Sequence, residues 1–206
     1  MGNRNRYLTI LILSLNLLCG FGQGIPLKDY FPILLKNNNL VFNLPDCFFV
    51  PDTIVMETIP LLNSAPIYLI KSFDNNIIVY FVYLKYSKSD EDFYKKLNSG
   101  HDINLTLDYL KMLKNISSKH STAQSFNEKD IKYFNKKEID SIGTDIGGEY
   151  SMTLASPFQK KYTHLTIRFI GKYYNFWWYS YFFFKEYEPN FGEELTRQTK
   201  YMLIIK

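Results

Sequence analysis

The sequence has little of what usually announces a chemistry. Only 2 of its 206 residues are cysteine, which excludes a small fold stapled by disulfides. Its 3 histidines, His101, His120 and His164, form no His-x-x-x-His or His-Glu-x-x-His spacing, and there is no Cys-x-x-Cys, so no metal is expected. Gly143 to Gly148 lacks the Gly-Lys-Ser/Thr ending of a phosphate loop, and no Gly-x-Ser-x-Gly elbow occurs. Self-similarity at periods of about 20–50 residues is missing, as are Pro- or Ser-rich linkers. Neither sign of charge dominates: 24 basic residues stand against 20 acidic ones.

What is present is apolar and aromatic. Hydrophobic residues make up 46% of the chain and aromatics 17%, enough for a packed core and too much for a disordered chain.

The first residues read as an address. Arg4 and Arg6 precede an apolar run of about 12 residues, Tyr7 to Leu18, and then Gly20-Phe21-Gly22. A membrane-crossing helix needs about 20 apolar residues, so the run has the proportions of a secretory signal peptide. Residues 1–22 are therefore expected to be removed, leaving one domain over 23–206 and a periplasmic or extracellular protein with no transmembrane segment. Gln23 behind the small residues resembles the signal peptides of secreted Bacteroidetes proteins. The alternative is an outer-membrane lipoprotein tethered through Cys19, but Leu18 and Asn16 stand where a lipoprotein signal has other residue types. Loss of Arg4 and Arg6 leaves 22 basic and 20 acidic residues, a balance that argues against nucleic acid as a partner. Cys47 remains, expected as an inert buried thiol.

Along 23–206, residues 24–35 form an apolar entry segment without a clear period, and Asn37-Asn38-Asn39 signals a turn. Leu40 to Leu44 reads as a strand, as does Thr53 to Ile59. Ile67–Lys71 and Ile77–Tyr86 flank Asp74-Asn75-Asn76 as a hairpin. The second of these is apolar on both alternating faces and should be covered on both. Ser87 to Gly100 has helix-start and helix-stop signals, and Leu107, Leu110, Leu113 and Ile116 mark an amphipathic helix. The polar stretch 119–137 carries a weak strand near Ile131–Phe134. Ile139–Ile142 and Glu149–Leu154 read as strands, and Glu193 to Ile205 as a closing helix. The fold class is α+β: a mostly antiparallel sheet with helices packed on it.

The aromatic stripe from Tyr173 to Phe184 holds ten aromatics in twelve residues. With a two-residue turn at Gly171-Lys172, Leu165, Ile167 and Phe169 face Trp178, Phe176 and Tyr174. Tyr162, His164, Thr166 and Arg168 then meet Tyr181, Tyr179, Trp177 and Asn175 on the other face. A strand this apolar is usually doubly covered, and a second core beneath a helix is one reading. The functional reading is an open platform of Trp177, Tyr179, Tyr181 and Tyr162, edged by His164 and Arg168, stacking on sugar rings or on a partner's side chains.

The layout invites one comparison. Leu40-Val41-Phe42-Asn43-Leu44-Pro45-Asp46 resembles the opening strand and Leu-Pro-Asp turn of the PsbP-like fold. The helix at 107–116, Gly147-Gly148-Glu149-Tyr150, the long pair 161–187 and the final helix are similar in place. Cys47-Phe48-Phe49 stands where that family commonly has a Trp. The resemblance implies an α/β/α sandwich and an extracytoplasmic binding or assembly module, and it carries over no site residues. A non-catalytic module with a protein or glycan partner, without a cofactor, is therefore expected. The alternative is a glycan-acting hydrolase whose carboxylates the fold brings together.

Overall fold

The computed structural model describes residues 27–51, 66–86, 106–123, 125–173, 175–186, 199 and 201–205. The leader at 1–22, the strand expected at 53–59 and the helix expected at 87–100 lie outside them. The described elements are α1 (Leu27–Asn37), β1 (Leu40–Phe42), β2 (Phe48–Phe49), β3 (Tyr68–Ser72), β4 (Ile77–Lys85), α2 (Thr106–His120), β5 (Lys132–Tyr133), α3 (Lys136–Ile142), β6 (Ile146–Phe158), β7 (Tyr162–Lys172), β8 (Phe176–Phe184) and β9 (Leu203–Ile205). A 3-10 turn at Glu128–Asp130 precedes β5.

Among the described residues, seven strands form one sheet in the order β2-β3-β4-β8-β7-β6-β5, and β1 pairs with β9 in a separate two-stranded sheet. Every pairing is antiparallel. The protein is therefore α+β, as the sequence predicts. Strand alternation divides the sheet's side chains between two cores. One holds Leu165, Ile167, Phe169, Trp177, Tyr179, Tyr181 and Phe183 beneath Tyr109, Leu113 and Ile116 of α2. The other holds Ile70, Val79, Phe81, Trp178, Phe182 and Phe184, and it is closed by Phe31 and Leu34 of α1, Ile142 of α3 and Leu203 of β9. A sheet covered twice needs strands apolar on both faces. That accounts for β4, buried from Ile77 to Val82, and for β8, buried along its whole length.

The β3–β4 hairpin forms where the sequence places it. Asp74 accepts hydrogen bonds from the Ser72 hydroxyl at 2.5 Å and the Asn76 backbone N–H at 2.9 Å, and Asn75 takes up positive φ. The entry segment resolves into α1.

Three expectations are corrected. Ile139–Ile142 is helical, because Asn135 and Glu138 close a reciprocal capping box at the start of α3 and Gly143 ends it at φ 79°. Leu203–Ile205 is a strand, because its backbone finds a partner in β1, with Leu40 opposite Ile205. The β7–β8 hairpin turns later than Gly171-Lys172: His164 faces Phe184 and Lys172 faces Phe176, so the turn lies between Lys172 and Phe176. That register moves Phe169 from Tyr174 to Tyr179, and every β8 residue changes neighbours.

Candidate functional site

The structure does not leave the expected aromatic platform open. Trp177, Tyr179, Tyr181 and Tyr162 are all at most 3% exposed and belong to the core under α2. Two of their polar tips find partners at its margin. The Trp177 indole donates to the Tyr86 hydroxyl at 3.0 Å, and the Tyr181 hydroxyl donates to the Met112 sulfur at 3.7 Å. Burial raises the Tyr181 pKa. Arg168 lies across the sheet from these rings: it pairs with Ser180, which alternates with Tyr179 and Tyr181. His164 is half-buried at the end of the β7–β8 pairing, with Nδ1 2.9 Å from the Thr163 hydroxyl, and burial lowers its pKa. The six residues thus do not converge on one surface.

Arg168 has a different role. It is buried, and its Nε and Nη2 reach Oε1 of buried Glu149 at 2.7 and 2.6 Å. Its Nη1 donates to the Thr199 carbonyl at 2.6 Å, and its guanidinium lies 5.0 Å from the Phe182 ring centre. A cavity of about 10 Å³ adjoins it, lined by Ile142, Ile170, Trp178, Ser180, Thr199, Met202 and Leu203 among others. That is room for about one water molecule. Asn43 secures the same C-terminal stretch by donating its backbone N–H to Met202 O at 2.7 Å. The Arg168–Glu149 pair is thus an internal clasp that ties β6, β7 and the C-terminal stretch together.

A second arrangement reaches solvent at one end of the sheet. Gly148 and Gly171 make it possible. A Cβ on Gly148 would lie 2.9 Å from Phe169 Cζ, and one on Gly171 would lie 2.5 Å from Trp177 Cζ3. Without those methyls, both rings settle close over the strands. Tyr109 of α2 stacks on Phe169, with centroids 4.4 Å apart and planes at 17°. Its hydroxyl meets the Tyr133 hydroxyl at 2.8 Å, and Tyr133 donates onward to Glu128 Oε1 at 3.4 Å.

Tyr133 stands edge-on to both Tyr109 and Phe169, at 86° and 84°, yet it is 45% exposed. Tyr173 is also exposed, and its backbone N–H donates to Asp145 at 2.8 Å. Burial first, then the hydrogen bond and charge of Tyr133 and the charges of Glu128 and Tyr173, raise the Tyr109 pKa. Tyr133, Glu128 and buried Tyr109 thus form one hydrogen-bonded cluster, and the exposed pair Tyr173 and Asp145 lies near enough for Tyr173 to act electrostatically on Tyr109. Tyr133 lies in a polar stretch of the sequence, where no apolar period or motif marks it. The available clue was the glycine pair at 147–148, which marks a place where something packs close to the backbone.

Among the described residues, no group of three or more His, Cys, Asp or Glu side chains could hold a metal ion. His101 lies outside them, and burial lowers the pKa of half-buried His120. Cys47 is exposed rather than buried as expected, because it sits at the turn before β2, not within a strand. Partial desolvation raises its thiol pKa against a backbone hydrogen bond that lowers it, and Asp46 and Asp74 add to the rise. The thiol is therefore biased away from the nucleophilic form. No described helix is long and apolar enough to cross a membrane. Compared with protein families, with curated proteins and with solved structures, the chain matches none.

Proposed function

We propose that the protein is a secreted or periplasmic binding or assembly module that performs no catalysis and meets its partner through the end of the sheet carrying Tyr133 and Tyr173. One observation carries this reading. Accessible aromatic rings stand beside the Glu128 and Asp145 carboxylates, and Tyr133 is held in place from beneath by Tyr109. Rings fixed in this way contribute contact area without losing much conformational freedom on binding. The basic, apolar and small-residue succession at 1–22 supports export, and the layout resemblance to PsbP-like modules supports a role in binding or assembly.

The test is retention on immobilised protein of two purified fractions, cell-envelope polysaccharide and envelope protein. Wild type should retain a component of one fraction. The Tyr133→Ala/Tyr173→Ala double variant should lose it, and the bound component should be recovered chemically unchanged. Recovery of a cleaved product would refute the non-catalytic reading. Retention indifferent to the double variant would refute the location.

A further inference from the structure

Building on the proposed binding surface at Tyr133 and Tyr173, we infer that its ligand is a neutral glycan, with Tyr133 as the ring on which a pyranose stacks and Glu128 as an acceptor for its hydroxyls. Three observations lead there. The first is rigidity. Tyr133 is set edge-on against Phe169 and Tyr109, and its hydroxyl is engaged by Tyr109 at 2.8 Å and Glu128 at 3.4 Å. An accessible ring with its polar tip tied inward offers its apolar surface outward. That surface suits the C–H face of a sugar, which is apolar and lies between polar hydroxyls.

The second observation is the placement of the carboxylate. Glu128 opens a 3-10 turn whose Asn127 cap accepts the Lys129 backbone N–H at 3.1 Å. Its carboxylate already accepts from Tyr133, so it stands at the edge of the stacking ring. A carboxylate has acceptor capacity beyond one hydrogen bond, and sugar hydroxyls are donors of the matching kind.

The third is the balance of charge. Glu128 and Asp130 alternate with Lys129 and Lys132, and all four are exposed. A strongly basic peptide would meet the two lysines, and a polyanion would meet the two carboxylates. A neutral, hydroxyl-rich ligand meets neither obstacle. Tyr109 is a positioning residue here: it holds Tyr133 and is itself buried.

The probes are chitohexaose, cellohexaose, laminarihexaose and maltohexaose, titrated into the full chain at up to millimolar concentration while amide chemical shifts are followed. At least one should shift resonances at Tyr133, Glu128 and Tyr173. Tyr133→Ala should weaken that binding by roughly tenfold or more, the scale of a lost aromatic stack plus its contact area. Tyr133→Phe keeps the ring and should retain most of the affinity, and Glu128→Gln should lose part of it. Tyr201→Ala, at an accessible tyrosine elsewhere, should change nothing. Unchanged melting of the variants shows that the losses are local. Absence of binding by all four sugars overturns the inference, as does binding that Tyr133→Ala leaves intact. If the same surface instead retains an envelope protein and no sugar, the inference falls while the proposed binding surface stands.

Discussion

Replacing Arg168 with methionine tests the internal clasp most directly. Methionine fills much of the volume of the arginine stem but takes from Glu149, whose side chain is 10% exposed, its 2.6 Å ion-pair partner. The Thr199 carbonyl also loses a 2.6 Å donor. Breaking a buried pair from one side costs about 3–5 kcal/mol, and a lost hydrogen bond adds about 1 kcal/mol. A domain of this size shifts its melting temperature by about 2–4 °C per kcal/mol. Arg168→Met should therefore lower the melting temperature by roughly 10–20 °C. Replacing both partners removes the ion pair together with its desolvation penalty, so Arg168→Met/Glu149→Met should return to within about 1 kcal/mol of wild type. Urea unfolding followed by near-ultraviolet circular dichroism measures all three proteins. In the single variant, amide exchange at Asn43, which donates to Met202, should quicken as the C-terminal stretch loosens. A loss below about 1 kcal/mol in the single variant would refute the reasoning. So would a double variant no more stable than Arg168→Met alone.

Further outcomes follow from the packing. Gly171→Ala drives a methyl into the Trp177 ring and should cost about 1–3 kcal/mol in urea unfolding, whereas a neutral result would contradict the close ring contact. Lys160 holds φ 62° in the three-residue turn 159–161 between β6 and β7, so Lys160→Gly should relieve strain and gain up to about 1 kcal/mol. With Trp178→Phe, the fluorescence left at Trp177 should be blue-shifted and weakly quenched by acrylamide, because that ring is 3% exposed. Burial raises the pKa of Tyr109 and Tyr181 and pushes that of Tyr83 up to about 12. The unfolded chain ionises these phenols near pH 10, so their contribution is complete below that pH and is lost as pH rises further. A stability curve flat through that range would oppose the assignment.

How much of this was legible in the sequence depended on whether a signal was local. The β3–β4 hairpin needed only Asp74-Asn75-Asn76 and the alternation of β4, and both are short-range facts. The Asn135–Glu138 capping box was equally local, but the β-branched Ile139 and Ile142 drew that segment toward a strand. The β7–β8 register turned on Gly171. Glycine suggested a turn, while its actual use is to make room for a ring from the facing strand, a contact visible only once the strands are paired. The shift from a turn at 171–172 to one beyond the Lys172–Phe176 pair moved the partners by an odd number, so Arg168 exchanged Asn175 for Ser180 and lost its place beside the tyrosines. Trp177 and Trp178 fall on opposite faces in either register, since neighbours on a strand always do. The tyrosine cluster combines residues from α2, the 3-10 turn, β5 and the β7–β8 loop, and no spacing within one segment encodes it. Nor does the sequence join Glu149 to Arg168, two residues on neighbouring strands whose pairing sets their distance.

The central place of β8 has a consequence for the newborn chain. β4 must pair with β8, yet about ninety residues separate Lys85 from its partner Phe176. At roughly 5–20 residues per second, a ribosome needs roughly 5–20 s to cover that interval. Throughout it, β4 has β3 along one edge and no partner strand along the other. When β8 emerges it brings Phe176-Trp177-Trp178-Tyr179-Ser180-Tyr181-Phe182-Phe183-Phe184, without a charge or a proline, a composition prone to cross-β aggregation. The nearest charges are Lys172 before it and Lys185 after it. These two lysines flank the strand at the positions that gatekeeper charges occupy.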